Sequence, residues 1–582
     1  MKIIFTITML IIIGFSVISC NDDLNTKPYD SFDKNEVFSS KENAEMFVNG
    51  LYYILKDKLS PDDEANHSDG NSVLTENNYF LQESFTADND LGWNIFGDLR
   101  SCNQAITNIE SSINISQDDK DNLIGQAKFL RAALYYANAR KFGRLILIDK
   151  VLTPEDDLEL PRTKTIKETY DAIIKDLDDA SVLLPEVTEQ GYISKGAAYA
   201  LKAEVCLQGA AYLDNSEEKL DYYKQARKAS ENLFNLNIYS LDDNYGDMFN
   251  SLEGAKASKE IILASYYLKV KNIFNDTFMM SLVPNQGGIG KLPDEIKAKW
   301  PMESFEGWMI YTPSQELVDS YEVIDTDGKA KDWNQTSYYK NFRPGIDWVS
   351  HAIYDHRDAR FYATIVYDSC KYFNSVLTMR KGGNMWWENN REGQRYMTKS
   401  GYTYRKYVYE DSRVFYNLPT DWCLIHARLG RSYLNYAEAL LRLLGSSEDD
   451  GTLQVTAINY INKVRTTHGK LPELVENMTE EETWKRYKRE RRVELVYEND
   501  YYWSLLRWAK EENKKIVDDL NNKDPHAIII AENGKSFVIE KVPVVEDFNT
   551  RKFTEKRFLL PIPKSEISTN SKLKDDQNPG WY

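Results

Sequence analysis

The stretch SKGAAYALKAEVCLQGAAYL, residues 194–213, decides the fold. Ala197, Ala198, Ala200, Ala203, Gly209, Ala210 and Ala211 crowd small side chains onto one helical segment, a density that lets neighbouring helix backbones approach closely. Before it, Glu168 to Leu184 places Tyr170, Ile173, Ile174, Leu177, Ala180 and Leu184 at helical spacing, so one face is buried. Thr165 with Glu168 predicts a capping box at its start. After it, Leu220 to Leu236 restores larger residues in Tyr223, Leu233 and Phe234. Helix, small-residue helix, helix is the pattern of tetratricopeptide-type stacking, in which no helical pair buries its face alone.

Upstream, residues 1–20 read as a secretory leader. Lys2 precedes an apolar run from Ile3 to Ile18, and Val17-Ile18-Ser19-Cys20 is a lipobox, which predicts cleavage before Cys20 and acylation of its thiol. The run is shorter than the roughly 20 apolar residues of a membrane span. A polar tether follows to about Asp33.

Downstream, periodicity fades from about Asn272 to Pro419, where Trp300, Trp308, Trp333, Trp348, Trp386 and Trp387 fall close together; irregular structure and short strands are expected. Tyr402 to Tyr409 alternates like a half-buried strand, and Asp325-Thr326-Asp327-Gly328 reads as a turn. Helices return over Ala427 to Leu444 and Ala457 to Val464. A third, Thr483 to Ala509, carries Arg486, Arg489, Glu490, Arg491, Arg492, Glu494, Glu498 and Arg507, the mixture of a solvated, ion-paired face. Asn533-Gly534 between Ile528-Ile529-Ile530 and Phe537-Val538-Ile539 predicts a hairpin. Pro561-Ile562-Pro563 and Gln577-Asn578-Pro579-Gly580-Trp581 predict an extended tail over the body.

At 582 residues the chain exceeds what one hydrophobic core serves, so two lobes or an extended repeat scaffold are expected. A net charge of -18 argues against nucleic acid, whose phosphates are bound by Lys and Arg. Cys102, Cys206, Cys370 and Cys423 lack C-x-x-C spacing, and Cys102 and Cys206 read as buried thiols. His351 and His356 lack the spacing of a metal motif. No cofactor, metal or catalytic residue is expected.

Together these segments resemble the SusD/RagB family of outer-membrane nutrient-binding lipoproteins. The resemblance is carried by Phe47 to Tyr52, by Phe129 to Tyr136 with Lys141-Phe142-Gly143, by Pro161-Arg162-Thr163 and by Ser194 to Ala198. It continues in Thr312 with Glu316-Leu317-Val318, Arg357 to Phe361, Tyr436-Ala437-Glu438-Ala439, Ile461 to Arg465, Glu490 to Leu495 with Arg507-Trp508, and the terminal Pro-Ile-Pro and Gln-Asn-Pro-Gly. Arg144 to Leu147 departs from the family pattern after the Phe-Gly pair. Asn21-Asp22-Asp23 after the lipid cysteine resembles a surface-export signal.

The resemblance implies a mainly α, tetratricopeptide-like (SusD-like) helical repeat scaffold with an irregular, loop-rich ligand-binding half and a few short β-hairpins. It divides the chain into residues 21–245 and 246–582. The second part holds a variable ligand-facing region at about 272–420, helical repeats at about 421–510, and a closing hairpin and tail. It further implies a lipid-anchored surface protein of the outer membrane that binds glycan without catalysis and delivers it to a SusC-like TonB-dependent transporter. Two other readings stand beside it. One is peptide or glycoprotein capture by the same fold; the other is a surface glycoside hydrolase with two carboxylates about 5–10 Å apart.

A glycan site needs flat rings for apolar sugar faces and polar side chains for hydroxyls. Trp386 and Trp387 follow Gly382-Gly383-Asn384 in what reads as an exposed loop. Trp300 and Trp308 lie beside Pro301 and Gly307, and Trp93 follows Asp88-Asn89-Asp90. These five are the ligand-binding candidates; Trp503 and Trp508 read as core.

Overall fold

The computed structural model describes residues 37–59, 71–74, 80–269, 277–284, 307–373, 375–389, 397–411, 421–521, 523–542 and 551–581. The leader, Cys20 and Trp300 lie outside them.

The first half is an array of helices: α1 (Phe96–Ser111), α2 (Gln117–Phe142), α3 (Ile166–Leu183), α4 (Lys195–Ala210) and α5 (Ser216–Asn235), each packed on the next. Thr165 Oγ1 caps α3 by accepting from the Glu168 N–H at 3.1 Å. The return bond is displaced by one residue from a full capping box, because Glu168 Oε2 accepts from the Lys164 N–H at 2.8 Å. α4 runs between α3 and α5 as its small side chains require. A Cβ on Gly209 would stand 2.6 Å from the Tyr170 ring of α3 and 2.9 Å from Tyr222 of α5. Cys102 and Cys206 are buried free thiols.

After the insert 236–428 the array resumes with α6 (Leu429–Arg442), α7 (Leu453–Thr467), α8 (Glu480–Glu494) and α9 (Tyr501–Glu511). α5 packs directly on α6, α6 on α7, and α8 on both, so the scaffold is continuous in space across the break in sequence. The single helix expected over Thr483 to Ala509 is two. Tyr497 and Asn499 adopt φ of 61° and 53°, a left-handed conformation that ends α8 and redirects the chain into α9. Trp503 and Trp508 are in the core, as read.

The second half has its own hydrophobic core, built from Tyr245, Phe249, Phe361, Tyr372 and Tyr404 together with Val493 and Val496. Its strands are short. β1 (Ile261–Tyr267) pairs antiparallel with β2 (Trp422–Arg428), which leads into α6, and β3 (His526–Ile530) forms the predicted hairpin with β4 (Phe537–Lys541). The strand expected over Tyr402 to Tyr409 shrinks to Thr403–Tyr404, because Tyr407 at φ 67° turns the chain; Tyr402, Tyr404, Tyr407 and Tyr409 are all buried, not half-exposed. Asp325 to Gly328 is a turn whose two carboxylates hold Lys331 at 2.6 and 2.8 Å. The tail is not wholly extended, since Lys564–Thr569 is helical, but it lies over the body: Arg162 donates to Asn578 at 2.9 Å, and Asn578 donates to the Phe142 carbonyl at 3.0 Å.

Between the two cores lies a buried ionic junction, which corrects the solvated face expected on α8. Arg428 of β2 donates to Glu260 at 2.9 Å, to Glu494 at 2.6 Å and to Glu498 at 2.8 Å. Arg360 joins Asp358, Glu490 and Glu494, and buried Lys406 donates to Glu498 at 2.6 Å. His468 bridges Glu494 and Glu260 at 2.8 and 2.9 Å. An ion pair this deeply desolvated holds only when each charge is met by several partners.

Candidate functional site

Two of the five candidate rings belong to the core. Trp93 is 2% exposed and meets Phe142 edge-on at 5.0 Å, because Leu91 and Gly92 at φ 56° and 82° turn the chain inward. Trp386 is 6% exposed, and its Nε1 donates to Glu388 at 3.0 Å. Its loop is folded back on itself, with Asn384 Oδ1 accepting from the Thr378 N–H at 2.8 Å and the Met385 N–H donating to the Thr378 carbonyl at 3.0 Å. Trp387 is half-buried against Trp386 with ring centroids 5.7 Å apart, and Trp308 is half-buried against the second core. The described residues thus bring the Trp386–Trp387 pair together and join neither Trp93 nor Trp308 to it.

Among the described tryptophans the one presented to solvent is Trp348, 45% exposed, which the sequence places in the Trp-rich stretch without marking it as a candidate. It stands in a depression of about 430 Å³ shared with Tyr338, Asn341, Ile346, Asp347 and His351. The predicted hairpin builds this wall. The Gly345 N–H donates to the Lys535 carbonyl at 2.7 Å and the Val349 N–H to the Gly534 carbonyl at 3.0 Å, so segment 345–349 is laced to the β3–β4 turn. Gly534 at φ 70° serves both the turn and the packing, since a Cβ there would come within 2.6 Å of the Trp348 ring. The Arg380 guanidinium and the Lys535 ammonium lie 5.6 and 5.5 Å from the ring centroid. The signal in the sequence was the pairing of two turn motifs, Pro344-Gly345 before Trp348 and Asn533-Gly534 far downstream.

Polar groups surround the ring. Arg343 grips Asp347 with Nε and Nη2 at 3.0 and 2.8 Å and holds its carboxyl down to about 2. His351 pairs with Asp355 at 2.7 Å, while His356 stacks on Tyr338 at 4.8 Å, so the two histidines are engaged separately and make no metal pair. An exposed indole with flanking amide, carboxylate and imidazole groups can stack on an apolar sugar face while bonding its hydroxyls. The one trio of described residues spaced to ligate a metal is Glu260, His468 and Glu494. Arg428 donates to both of its carboxylates, so a cation there would face a guanidinium. No described helix is long and apolar enough to cross a membrane.

Comparison with known proteins places this architecture. The profile of the SusD family matches residues 259–581, and a second profile, described as starch-binding associating with outer membrane, matches residues 23–207. A SusD-like protein of Bacteroides ovatus is 22% identical over 500 residues, covering 82% of this chain and 78% of that one. A SusD-like protein of Bacteroides fragilis superposes with a TM-score of 0.73 at 25% identity, over 94% of this chain and 99% of the other. A laminarin-binding SusD-like protein shares the fold with a TM-score of 0.63 at 17% identity, over 94% and 100%. With one profile spanning more than half of its residues, this chain belongs to the SusD family.

Proposed function

We propose that this protein is a lipid-anchored, surface-exposed lipoprotein of the outer membrane that captures oligo- or polysaccharide on the Trp348 depression and delivers it to a SusC-like TonB-dependent transporter. The observation that carries the reading is the exposed Trp348 ring standing among Asn341, Asp347 and His351. The family description as starch-binding and outer-membrane-associated supports it, as does the laminarin-binding neighbour. Cys20 is the proposed site of lipid attachment. Trp387 and Trp308 keep part of each ring open, and they stand with Trp300 as secondary candidates for contact with a long glycan.

The same geometry favours capture over hydrolysis. A glycosidase needs one carboxyl kept protonated as an acid. Asp347 is instead held ionised by Arg343, and Asp355 is bonded to His351.

The test is isothermal titration of the protein and of its Trp348→Ala variant against a panel of glycans, with reducing ends assayed in the same samples. Saturable binding that is lost in the variant, without new reducing ends, supports capture at this site. New reducing ends would establish hydrolysis. Binding unaffected by the variant would move the site elsewhere, and binding confined to peptides would favour the peptide-capture reading.

A further inference from the structure

The hairpin that supports Trp348 has one side covered and one side bare. Within it the Ala531 N–H donates to the Ser536 carbonyl at 2.9 Å. Antiparallel ladders alternate, so Val538 and Glu540 turn their backbone groups toward β3 while Phe537, Ile539 and Lys541 turn theirs away. The far side of β3 is taken: the Ile528 N–H donates to the Ser400 carbonyl at 3.1 Å, and the Ile530 carbonyl accepts from the Lys381 N–H at 3.0 Å. β4 pairs with β3 alone, and among the described residues nothing bonds the outward backbone groups of Phe537, Ile539 or Lys541. Val538 and Ile539 are 53% and 37% exposed there. An unpaired edge of this kind is a template for another strand. Toward the turn the edge is closed, because the Gly345 N–H already occupies the Lys535 carbonyl, so the free stretch is Phe537–Lys541.

Charge selects the strand that fits it. Laid antiparallel against a second copy of itself and centred on Ile539, the stretch opposes Ile539 to Ile539, Val538 to Glu540 and Phe537 to Lys541, with no like charges face to face. Centring on Lys541 would oppose two lysines, and centring on Phe537 would run into the Gly345–Lys535 bond. One register is thus self-complementary, as a two-fold contact requires.

We propose that two copies of this protein pair through β4 about a two-fold axis at Ile539, joining their hairpins into one four-stranded sheet. The axis stands perpendicular to the sheet, so the two Trp348 rings lie on the same side of it, with their supporting turns roughly 30–35 Å apart at ~3.4 Å per residue. Where the reading of Trp348 as the platform holds, one long glycan can occupy both depressions and gains affinity from the second contact.

Cysteine substitutions in the full, membrane-bound chain test the register, with the native chain as the blank. In the paired sheet the two Ile539 Cα atoms stand about 5.5 Å apart, within disulfide reach, whereas Val538 meets its own copy only on a diagonal of about 7–8 Å, beyond it. Diamide oxidation should therefore give a disulfide dimer from Ile539→Cys, severalfold above that from Val538→Cys. Equal yields, no dimer from Ile539→Cys, or a link only to a different polypeptide would overturn the pairing. Binding is read in parallel. A long glycan should bind about tenfold or more tighter than its short oligosaccharide, a gain lost in Ile539→Lys and in Ile539→Glu and restored when the two variants are mixed. A gain that persists in either single variant would overturn the shared platform. A disulfide dimer whose glycan binding is indifferent to Trp348→Ala would refute the platform and leave the pairing standing.

Discussion

Arg428 Nη1 stands 2.6 Å from Glu494 Oε1 with both side chains wholly shielded from solvent, and this pair ties β2 to α8. Because Glu260 and Glu498 share the same guanidinium, Arg428→Met takes a cation away from three buried carboxylates at once. The expected loss is about 3–5 kcal/mol in urea unfolding. A loss below about 1 kcal/mol would mean that the remaining cations Lys406, Arg360 and His468 suffice.

The junction also makes stability depend on pH. Burial alone would lower the His468 imidazole, but Glu494 and Glu260 outweigh it and push it up to about 9. The folded protein therefore keeps a proton that the unfolded chain releases near pH ~6.5. This contribution, about 3 kcal/mol, is complete below that pH and is lost as pH rises through about 9. Burial lowers Lys406 to about 8, and above that pH it acts in the opposite sense, so the clean window lies between pH ~6.5, where the unfolded imidazole titrates, and about 8. Unfolding free energy should fall across this window in the native protein, and His468→Gln should flatten the slope.

Gly534→Ala tests the support of the platform. The new methyl group meets the Trp348 ring and strains a backbone at φ 70°, so a cost of about 1 kcal/mol and weaker glycan binding are expected together. Glycan affinity equal to that of the native protein would show that the ring is held without the turn.

Trp386→Ala acts on the fold. A ring this buried leaves a cavity when truncated, with a loss of about 3–5 kcal/mol expected in thermal or urea unfolding. The sequence alone suggests the opposite outcome, weakened binding at unchanged stability, because a Gly-Gly-Asn loop looks exposed until its fold-back onto Thr378 is seen.

Cys20→Ala should release the protein from the membrane fraction into the soluble periplasm, as judged by fractionation. Retention at the cell surface would refute the lipid anchor.

What the sequence discloses here is what depends on near neighbours. The small residues of α4, the Thr165 cap and the Asn533-Gly534 hairpin are local features, and each is found where it was read. The charged run on α8 was misread because mixed charge looks the same on a solvated face and in a buried network. Its burial is decided by Glu260, Arg360, Arg428 and His468, which arrive from other parts of the chain. Trp348 stands in the Trp-rich stretch without being marked as a candidate for the same reason, since its setting depends on a turn contributed by β3 and β4.

Because α5 and α6 pack on each other, the two ends of segment 236–428 are held side by side. To the helices, that whole segment is one long loop with fixed ends. Loop-closure entropy rises only logarithmically with length, about 0.6 kcal/mol for each doubling. That segment can therefore grow, shrink or be rebuilt at little entropic cost to the helices, provided Glu260, Arg360, Lys406 and Arg428 still complete the ionic junction around Glu494 and Glu498.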